Sequence, residues 1–212
     1  MSRRVPSRLQ MSDEATAKDR WNDRYDSGAF GPLPDAPARW LVDHEDLLRD
    51  VARRAAQPRA IDVACGDGRN AVRLAELGFA VDAVDISDVA IAALRDAASR
   101  RGLRLDARVL DLERETPAAD AYDVVVCMRY LQRDLFPALR RALRRGGVLL
   151  YETFSRAHVE ELGKPFNPAY VLDRGELREA FADLEVLDYR EGVAELGHGP
   201  SGVASIVARR LV

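Results

Sequence analysis

Apolar residues along the chain fall into short continuous runs, separated by longer stretches with helical spacing. A short apolar run is typical of a strand buried on both faces of a parallel sheet, whereas apolar positions three and four residues apart are typical of an amphipathic helix. Their alternation favours an α/β fold with a doubly wound, mostly parallel sheet of about seven strands. The predicted strands cover residues 61–65, 81–85, 107–112, 122–127, 148–153, 184–189 and 202–208.

The stretches between these runs carry start and stop signals of helices. Helical spacing predicts one continuous helix from Arg39 to Arg54, while Ser87 and Gly102 are expected to cap the two ends of another. Asp173 and Glu176 predict a capping box for a helix before the sixth run. A further apolar stripe predicts a helix that ends before a glycine turn: Leu135, Leu139, Ala142 and Leu143, then Gly146 and Gly147.

Two glycines, Gly66 and Gly68, follow the first predicted strand, and the second predicted strand ends on Asp85. Glycine lets the backbone approach a ligand, and a helix N-terminus behind the turn favours polar or anionic groups. Asp85 lies seventeen residues after Gly68, close to the spacing of about 20 at which an acid reaches ribose hydroxyls. The layout predicts a nucleoside-binding β-α-β unit. The alternative is that the glycines serve turn geometry alone.

Residues 62–68 read DVACGDG, an acid followed by spaced small residues. This motif resembles the acid-x-G-x-G-x-G motif of Rossmann-like S-adenosylmethionine-dependent methyltransferases, with Ala64 in place of the first glycine. The resemblance implies S-adenosylmethionine as cofactor and a sheet closed by an antiparallel C-terminal hairpin, which the glycine-containing connection over residues 190–201 suits. The residues assigned to the cofactor are Asp62, Ala64, Gly66, Gly68, Asn70, Asp85, Ile86, Asp111, Leu112 and Cys127.

Three acids at the ends of successive predicted strands carry most of this assignment. The resemblance implies that Asp62 lies near the methionine moiety, that Asp85 accepts from the ribose diol, and that Asp111 accepts from the adenine amino group. Ile86 would pack on the adenine face. Open α/β sheets bind ligands outside the carboxyl ends of their strands, which favours the three acids acting together. Taken singly, each acid has a simpler interpretation as a solvated loop carboxylate.

The N-terminal segment contains Trp21 and Tyr25, two aromatic residues that could share a helical face. Its W-N-x-R-Y motif is similar to small-molecule methyltransferases of the tellurite-resistance and thiopurine-like type, whose N-terminal segment covers the cofactor. We therefore expect a disordered lead-in over residues 1–15 and one domain over residues 16–212, with a helical lid over about 16–56 in which Trp21 contacts the cofactor. The alternative is a helix that merely staples itself to the domain.

A long connection over residues 154–172 is expected to form a rigid aromatic wall beside the substrate. Its composition and the basic residues after the fourth strand suit an anionic substrate, although both arginines there could equally be solvated. No spacing selects a general base among Tyr151, Glu152, His158 and His198. The substrate candidates are Tyr25, Arg129, Arg133, Lys164 and Tyr170.

Composition and charge limit the classes of ligand and the cellular compartment that we expect for this protein. A net charge of −3 and a pI near 5.7 argue against nucleic acid, and no apolar run approaches the ~18 residues of a membrane span. Cys65 and Cys127 predict no disulfide framework and suit a reducing compartment, so we expect a cytoplasmic protein. No cluster has metal-ligand spacing, so no metal is predicted. The sequence selects no oligomeric state.

The predicted function is S-adenosylmethionine-dependent methylation of a small molecule, by in-line transfer to a soft or anionic nucleophile. A nicotinamide-dependent oxidoreductase is the first alternative, because Ala71 stands where a dinucleotide fingerprint requires Gly or Ala. A non-catalytic module that binds S-adenosylmethionine is the second.

Overall fold

The computed structural model describes residues 16–27, 36–196 and 199–211. The strands within these ranges are β1 (Arg59–Val63), β2 (Ala80–Asp85), β3 (Leu105–Val109), β4 (Tyr122–Met128), β5 (Leu143–Phe154), β6 (Glu185–Leu196) and β7 (Gly199–Arg209). They form one sheet in the order β3-β2-β1-β4-β5-β7-β6. Neighbours from β3 to β5 are parallel, whereas β7 is antiparallel to both β5 and β6. The predicted mixed α/β sheet and its C-terminal hairpin are confirmed.

Helices cover both faces of this sheet. They are α1 (Ala17–Asp26), α2 (Arg39–Asp43), α3 (Glu45–Arg54), α4 (Arg69–Glu76), α5 (Asp88–Arg101), α6 (Phe136–Ala142), α7 (Ala157–Glu160) and α8 (Glu176–Ala180). Residues of α2 to α5 form one apolar cluster, and residues of α6 and α8 belong to the other. In β4, Val124 and Val126 face the first cluster while Val125 and Cys127 face the second. The continuous apolar run therefore has the predicted burial on two faces.

Helix α5 has the ends that its sequence predicts. The Ser87 hydroxyl accepts a hydrogen bond from the Ala90 N–H at 3.2 Å, and Gly102 ends the helix in the left-handed conformation at φ 61°. Both signals are local, so the surrounding fold does not override them.

The single helix predicted over residues 39–54 is wrong, because the chain breaks at His44 into α2 and α3. The His44 ring Nδ1 donates to the Trp40 carbonyl oxygen at 2.7 Å, in place of the His44 backbone N–H that a continuous helix would bring there. The Trp40 indole in turn donates to the Ile206 carbonyl oxygen at 3.3 Å. The break therefore follows from packing against the distant strand β7.

The glycine pair Gly146–Gly147 was predicted to form a turn before a strand. It lies inside strand β5 instead. Strand β5 already begins at Leu143, which was predicted to be helical and is extended at ψ 135°. The pairing with β4 shifts between Tyr122 and Val124, so the extra residues of β5 form a bulge. A Cβ at Gly147 would lie 2.9 Å from the Arg144 carbonyl oxygen, which explains the glycine there.

The connection predicted over residues 190–201 is mostly strand. Arg190 pairs with Ser205, and the ladder continues until Leu196 pairs with Gly199. Residues 197 and 198, including the candidate base His198, lie outside the described residues. Glycines predicted to mark a turn are accommodated within strands, where Gly192 has φ 139° and Gly199 has φ 103°.

The capping box predicted at Asp173 forms only in half. The Glu176 carboxylate accepts from the Asp173 N–H at 2.7 Å, while the Asp173 carboxylate pairs with Arg156 instead. Helix α8 consequently begins at Glu176, with Gly175 as its N-cap.

The lead-in expected over residues 1–15 lies outside the described residues. Helix α1 begins directly after it with a complete capping box between Thr16 and Asp19. In the described part of the chain, every helix is too short or too polar to cross a bilayer.

Candidate functional site

Every second residue of the turn after β1 has a left-handed backbone conformation: Ala64 at φ 55°, Gly66 at φ 55° and Gly68 at φ 83°. Helix α4 starts immediately afterwards, so its N-terminus lies at this turn. A Cβ on Gly68 would overlap the fully buried Leu94 side chain of α5. Glycine is therefore favoured at position 68 for a packing reason as well as a conformational one.

Ala64 has the backbone conformation of a glycine, and its replacement by glycine is expected to stabilise the protein. A left-handed alanine costs about 1–2 kcal/mol, from which the greater unfolded-state entropy of glycine subtracts about 0.4–1 kcal/mol. The net gain of about 0.5–1 kcal/mol corresponds to roughly 1–4 °C in melting temperature. Thermal unfolding of Ala64→Gly checks this against Ala75→Gly, a helical position of α4 where glycine is expected to destabilise. Equal losses in both variants would contradict the assignment of strain.

Asp85 ties this turn to the end of β2. Its Oδ2 accepts from the Gly66 N–H and its Oδ1 accepts from the Ser87 N–H, both at 2.9 Å. The residue is 7% exposed, and burial raises its pKa, with the backbone hydrogen bonds opposing this shift. Each carboxylate oxygen keeps a further lone pair, so Asp85 can also accept from a ligand hydroxyl.

Asp62, in β1, is a buried carboxylate whose two oxygens have no hydrogen-bond partner among the described residues. Burial raises the pKa of this group to about 8. The Ala71 N–H, which is nearby but outside hydrogen-bond geometry, and the Arg69 charge oppose that shift. A buried polar group without a partner in a native structure needs an explanation, such as a bound ligand. An ammonium group would supply both charge and donors, so the residues present fit the methionine moiety of S-adenosylmethionine.

Asp111, Leu112 and Cys127, also assigned to the cofactor, differ in where their side chains lie. Asp111 stands at the rim beyond β3, where its Oδ1 accepts from the Glu113 N–H at 3.0 Å and its Oδ2 pairs with Arg114. The Leu112 and Cys127 side chains are instead buried in the apolar core. Their side chains therefore contribute to the apolar core, and their backbone is the part that would face a ligand at the rim.

Asn70 and Ile86 lie beside the glycine turn and Asp85, respectively. The Asn70 Oδ1 accepts from the Ala38 N–H at 2.8 Å, and the side chain is buried. Asn70 thereby attaches the start of α2 to α4, a structural role that its place in the motif did not predict.

Helix α1 lies against the glycine turn and the start of α5. The Asn22 amide donates to the Asp88 carboxylate and accepts from the Ser87 hydroxyl, both at 2.7 Å. The Tyr25 hydroxyl occupies the place that a Cβ on Gly66 would take. Burial and the Asp85 charge raise the pKa of Tyr25, which keeps its phenol protonated. Tyr25, predicted to contact substrate, therefore lies against the glycine turn.

Trp21, on the same helix, has its ring centroid 6.4 Å from that of Tyr25. It is half-buried beside the turn. Sequence reasoning missed Asn22 as the attachment of this helix, although the residue stands inside the W-N-x-R-Y motif.

Two predicted substrate residues, Arg133 and Tyr170, have surroundings that differ from the prediction. The Arg133 guanidinium binds the Glu176 carboxylate at 2.5 and 2.9 Å and the Val171 carbonyl oxygen at 3.0 Å. Its donors hold the connection after α7 in place, so it is not available to a substrate. Tyr170 is 55% exposed, and the predicted aromatic wall is instead formed by Phe154 and Phe166, with ring centroids 4.5 Å apart.

Lys164 remains accessible at the surface. Its Nζ donates to the Pro200 carbonyl oxygen at 2.6 Å, which leaves two of the three ammonium donors for other partners.

Arg129 lies at the carboxyl end of β4, two residues after the strand position that pairs with Val63. Its Nε approaches the Glu152 Oε1 at 3.4 Å. Glu152 is fully buried, and its Oε2 accepts from Arg190 and from the Ser205 hydroxyl, each at 2.8 Å. Sequence reasoning missed Arg190 and Ser205, because only the antiparallel register of β6 and β7 brings them to Glu152.

The described candidate bases are all engaged. The Tyr151 hydroxyl donates to the Tyr130 carbonyl oxygen at 2.6 Å, and the Glu152 carboxylate is held by its cationic partners. The His158 Nδ1 accepts from the Gly202 N–H at 3.1 Å, so its lone pair is occupied. Burial lowers the pKa of His158, and the Lys164 and Arg129 charges act in the same direction. Among the residues that the structure describes, no group of three or more His, Cys, Asp or Glu could hold a metal ion.

Comparison with solved structures supports the fold. The crystal structure of TehB from Haemophilus influenzae superposes with a TM-score of 0.68 over 90% of this chain and 67% of that chain, at 20% identity. A structure described with the conversion of a disulfide bond into a thioacetal group during echinomycin biosynthesis gives 0.69 over 92% of both chains, at 24% identity. Both likenesses concern architecture.

Comparison of sequences identifies relatives. Hemagglutinin 1 of Eikenella corrodens is 31% identical over 160 residues, which are 72% of this chain and 52% of that protein. A probable S-adenosyl-L-methionine-dependent methyltransferase TehB of Haemophilus influenzae is 25% identical over 160 residues, 72% of this chain and 54% of that protein. The chain thus spans about half the length of these relatives. The model of the family described as tellurite resistance protein TehB matches residues 42–206. The chain therefore belongs to the TehB family, a family of Rossmann-like, S-adenosylmethionine-dependent methyltransferases.

Proposed function

We propose that this chain binds S-adenosylmethionine at the turn after β1 and methylates a small molecule at the adjacent end of β4. The observation that carries the proposal is the Asp62 carboxylate, buried at that turn with neither oxygen hydrogen-bonded in the described part of the chain. Asp85 supports it with free lone pairs at the neighbouring strand end. The ammonium that would lie near Asp62 and the ribose diol that would lie at Asp85 are two parts of one such cofactor.

Methyl transfer requires the protein to align the nucleophile with the methyl group, and it requires no covalent bond to the protein. S-adenosylmethionine, when bound, supplies an electrophilic methyl group on a sulfonium. The residues of this chain must orient the nucleophile in line and exclude water. Helix α1 supports this role, because Asn22 attaches it to the start of α5 and the Tyr25 hydroxyl lies against Gly66. In this function, α1 acts as a lid over the bound cofactor.

The engaged state of Tyr151, Glu152 and His158 favours a nucleophile that needs no general base from these groups. A soft or already anionic nucleophile, such as a thiolate, satisfies this condition. Proton transfer from a neutral hydroxyl or amine to Tyr151 or His158 would require breaking one of these hydrogen bonds.

Thermal unfolding with S-adenosylhomocysteine, NADH and NADPH tests the identity of the cofactor. S-adenosylhomocysteine at about 100 times its dissociation constant is expected to stabilise the protein by about 2.7 kcal/mol, or roughly 5–10 °C. NADH and NADPH at the same concentrations are expected to leave the melting temperature unchanged. A shift with a nicotinamide nucleotide alone would replace the proposal with an oxidoreductase. Tight binding of S-adenosylhomocysteine without methyl consumption over a broad panel of thiols would instead leave a non-catalytic binding module.

A further inference from the structure

Arg129 adopts a backbone conformation that ordinary residues avoid. Its φ is 62°, in the left-handed region, and it is held there by a hydrogen bond from its N–H to the Glu152 carbonyl oxygen at 2.7 Å. A glycine would adopt this conformation without steric cost. An arginine kept in a strained position at the end of a strand points to a task for its side chain.

The Arg129 guanidinium is largely buried yet uses little of its donor capacity. Its side chain is 19% exposed, and its Nε makes the long 3.4 Å contact with Glu152. Neither terminal nitrogen has a hydrogen-bond partner among the described residues. Arg133, four residues later, binds a carboxylate and backbone carbonyl oxygens through all of its nitrogens. The unused edge of Arg129 has the planar geometry that matches a carboxylate.

Arg129 shares its carboxylate partner with a second guanidinium, that of Arg190. Glu152 is the carboxylate that faces both Arg129 and Arg190, and its Oε2 is already saturated by Arg190 and Ser205. Glu152 is fully buried, and its one negative charge is shared between the two guanidinium groups. Burial lowers the pKa of Arg129, and the Arg69 and Arg190 charges act with it against the opposing Glu152 charge. A ligand anion would restore the balance.

The surroundings of Arg129 also present aromatic rings. The guanidinium lies 5.4 Å from the centroid of Phe154, which in turn lies 5.0 Å from His158 and 4.5 Å from Phe166. Phe154 and Phe166 are both half-buried, so part of each ring stays accessible. Rings in this arrangement suit an aromatic body next to the cation.

We propose that the methyl acceptor of this protein is an aromatic compound that carries a carboxylate, and that Arg129 binds this carboxylate with its two terminal nitrogens. This inference rests on the proposed function, since it names the substrate class of the same site. Glu152 acts as a positioning residue on the Nε side of Arg129, and Arg190 holds the Glu152 carboxylate in place.

Benzoate and benzamide, which have nearly the same shape and differ in charge, test the inference. Each is titrated by calorimetry into the protein saturated with S-adenosylhomocysteine. Benzoate is expected to bind about tenfold more tightly or better, as a charge-assisted pair predicts. Arg129→Gln is expected to abolish this preference. Arg145→Gln, an exposed arginine at the opposite end of β5, is the matched control and is expected to retain it.

Two further variants keep the test decisive. Arg129→Lys keeps the charge without the planar edge and is expected to show an intermediate preference. Arg129→Gly relieves the left-handed φ and is expected to melt no lower than the parent while lacking the preference, which covers the case in which Arg129→Gln folds poorly. The inference is overturned if the parent binds benzoate no better than benzamide, or if Arg129→Gly retains the preference.

The cofactor titration separates this inference from the proposed function. Affinity for S-adenosylhomocysteine is measured first in the parent and in each variant, without benzoate, so that every later titration is made at saturating cofactor. Normal cofactor binding without a benzoate preference would overturn the substrate class alone. Absence of cofactor binding in the parent would overturn the proposed function, and the benzoate titration without cofactor would still report on Arg129.

Discussion

Replacing Asp85 with alanine is expected to weaken S-adenosylhomocysteine binding by about 100-fold or more. Two ribose hydroxyl groups would donate to this carboxylate, and each hydrogen bond to a charged group contributes about 1.5–3 kcal/mol. Their loss alone corresponds to about a 100-fold change in the dissociation constant. The substitution also removes the acceptors of the Gly66 and Ser87 N–H groups, which hold the turn in its binding conformation. Isothermal titration of the parent and the variant measures the effect.

Asp106→Ala is the matched control for this experiment. Asp106 is an exposed carboxylate on the neighbouring strand β3, and its partner is the surface residue Arg108. Its removal is expected to leave the affinity within about twofold, because distant and independent sites do not couple. Circular dichroism of Asp85→Ala verifies that the variant is folded at the titration temperature. Unchanged affinity in a folded Asp85→Ala protein would show that the ribose lies elsewhere.

The elements that the sequence predicted well depend on local signals. The cap at Ser87 and the stop at Gly102 require only neighbouring backbone groups, and both occur as expected. The run over β4 predicted burial on both faces because its apolar residues occupy alternate sides. The break at His44 could not be predicted in this way. It depends on the contact between Trp40 and Ile206, residues 166 positions apart in the chain.

The candidate site also combines features that follow from local spacing with features that depend on distant contacts. The spacing from Gly68 to Asp85 predicted a junction that the structure contains, since Asp85 binds the turn directly. Arg129 and Arg133 look alike in sequence, and both were candidates for substrate. Glu176, 43 residues from Arg133, decides between them by occupying that guanidinium. Such a pairing depends on the packing of α8, which no local pattern encodes.

Asp62 gives rise to the second large expected effect, a dependence of cofactor affinity on pH. Burial raises the pKa of Asp62 to about 8, so the carboxyl is mainly protonated in the free protein at neutral pH. Binding of an ammonium favours the ionised form. The affinity for S-adenosylhomocysteine, whose amino group stays protonated over this range, is therefore expected to rise by up to tenfold per pH unit between pH 5.5 and 7.5. Titrations across that interval measure the slope.

Asp62→Asn serves as the control, because it has similar size and no titration. Its affinity is expected to be weak and nearly independent of pH, and calorimetry in buffers of different ionisation enthalpy should detect proton release in the parent only. Equal slopes in the two proteins would assign the pH dependence to another group, such as His158.

The same substitution is expected to stabilise the cofactor-free protein at pH 7. An aspartate ionises with a pKa of about 3.9 in the unfolded chain, whereas burial raises the folded pKa to about 8. The native state consequently binds the proton more tightly, and stability is greatest below about pH 4 and is lost as the pH rises towards about 8. Asparagine avoids this loss, which amounts to at least about 1 kcal/mol at pH 7, or about 2–4 °C in melting temperature. Asp62→Asn that melts lower than the parent at both pH 5 and pH 7 would contradict this account, whereas a gain confined to the higher pH would show that Asp62 is retained for binding at the expense of stability.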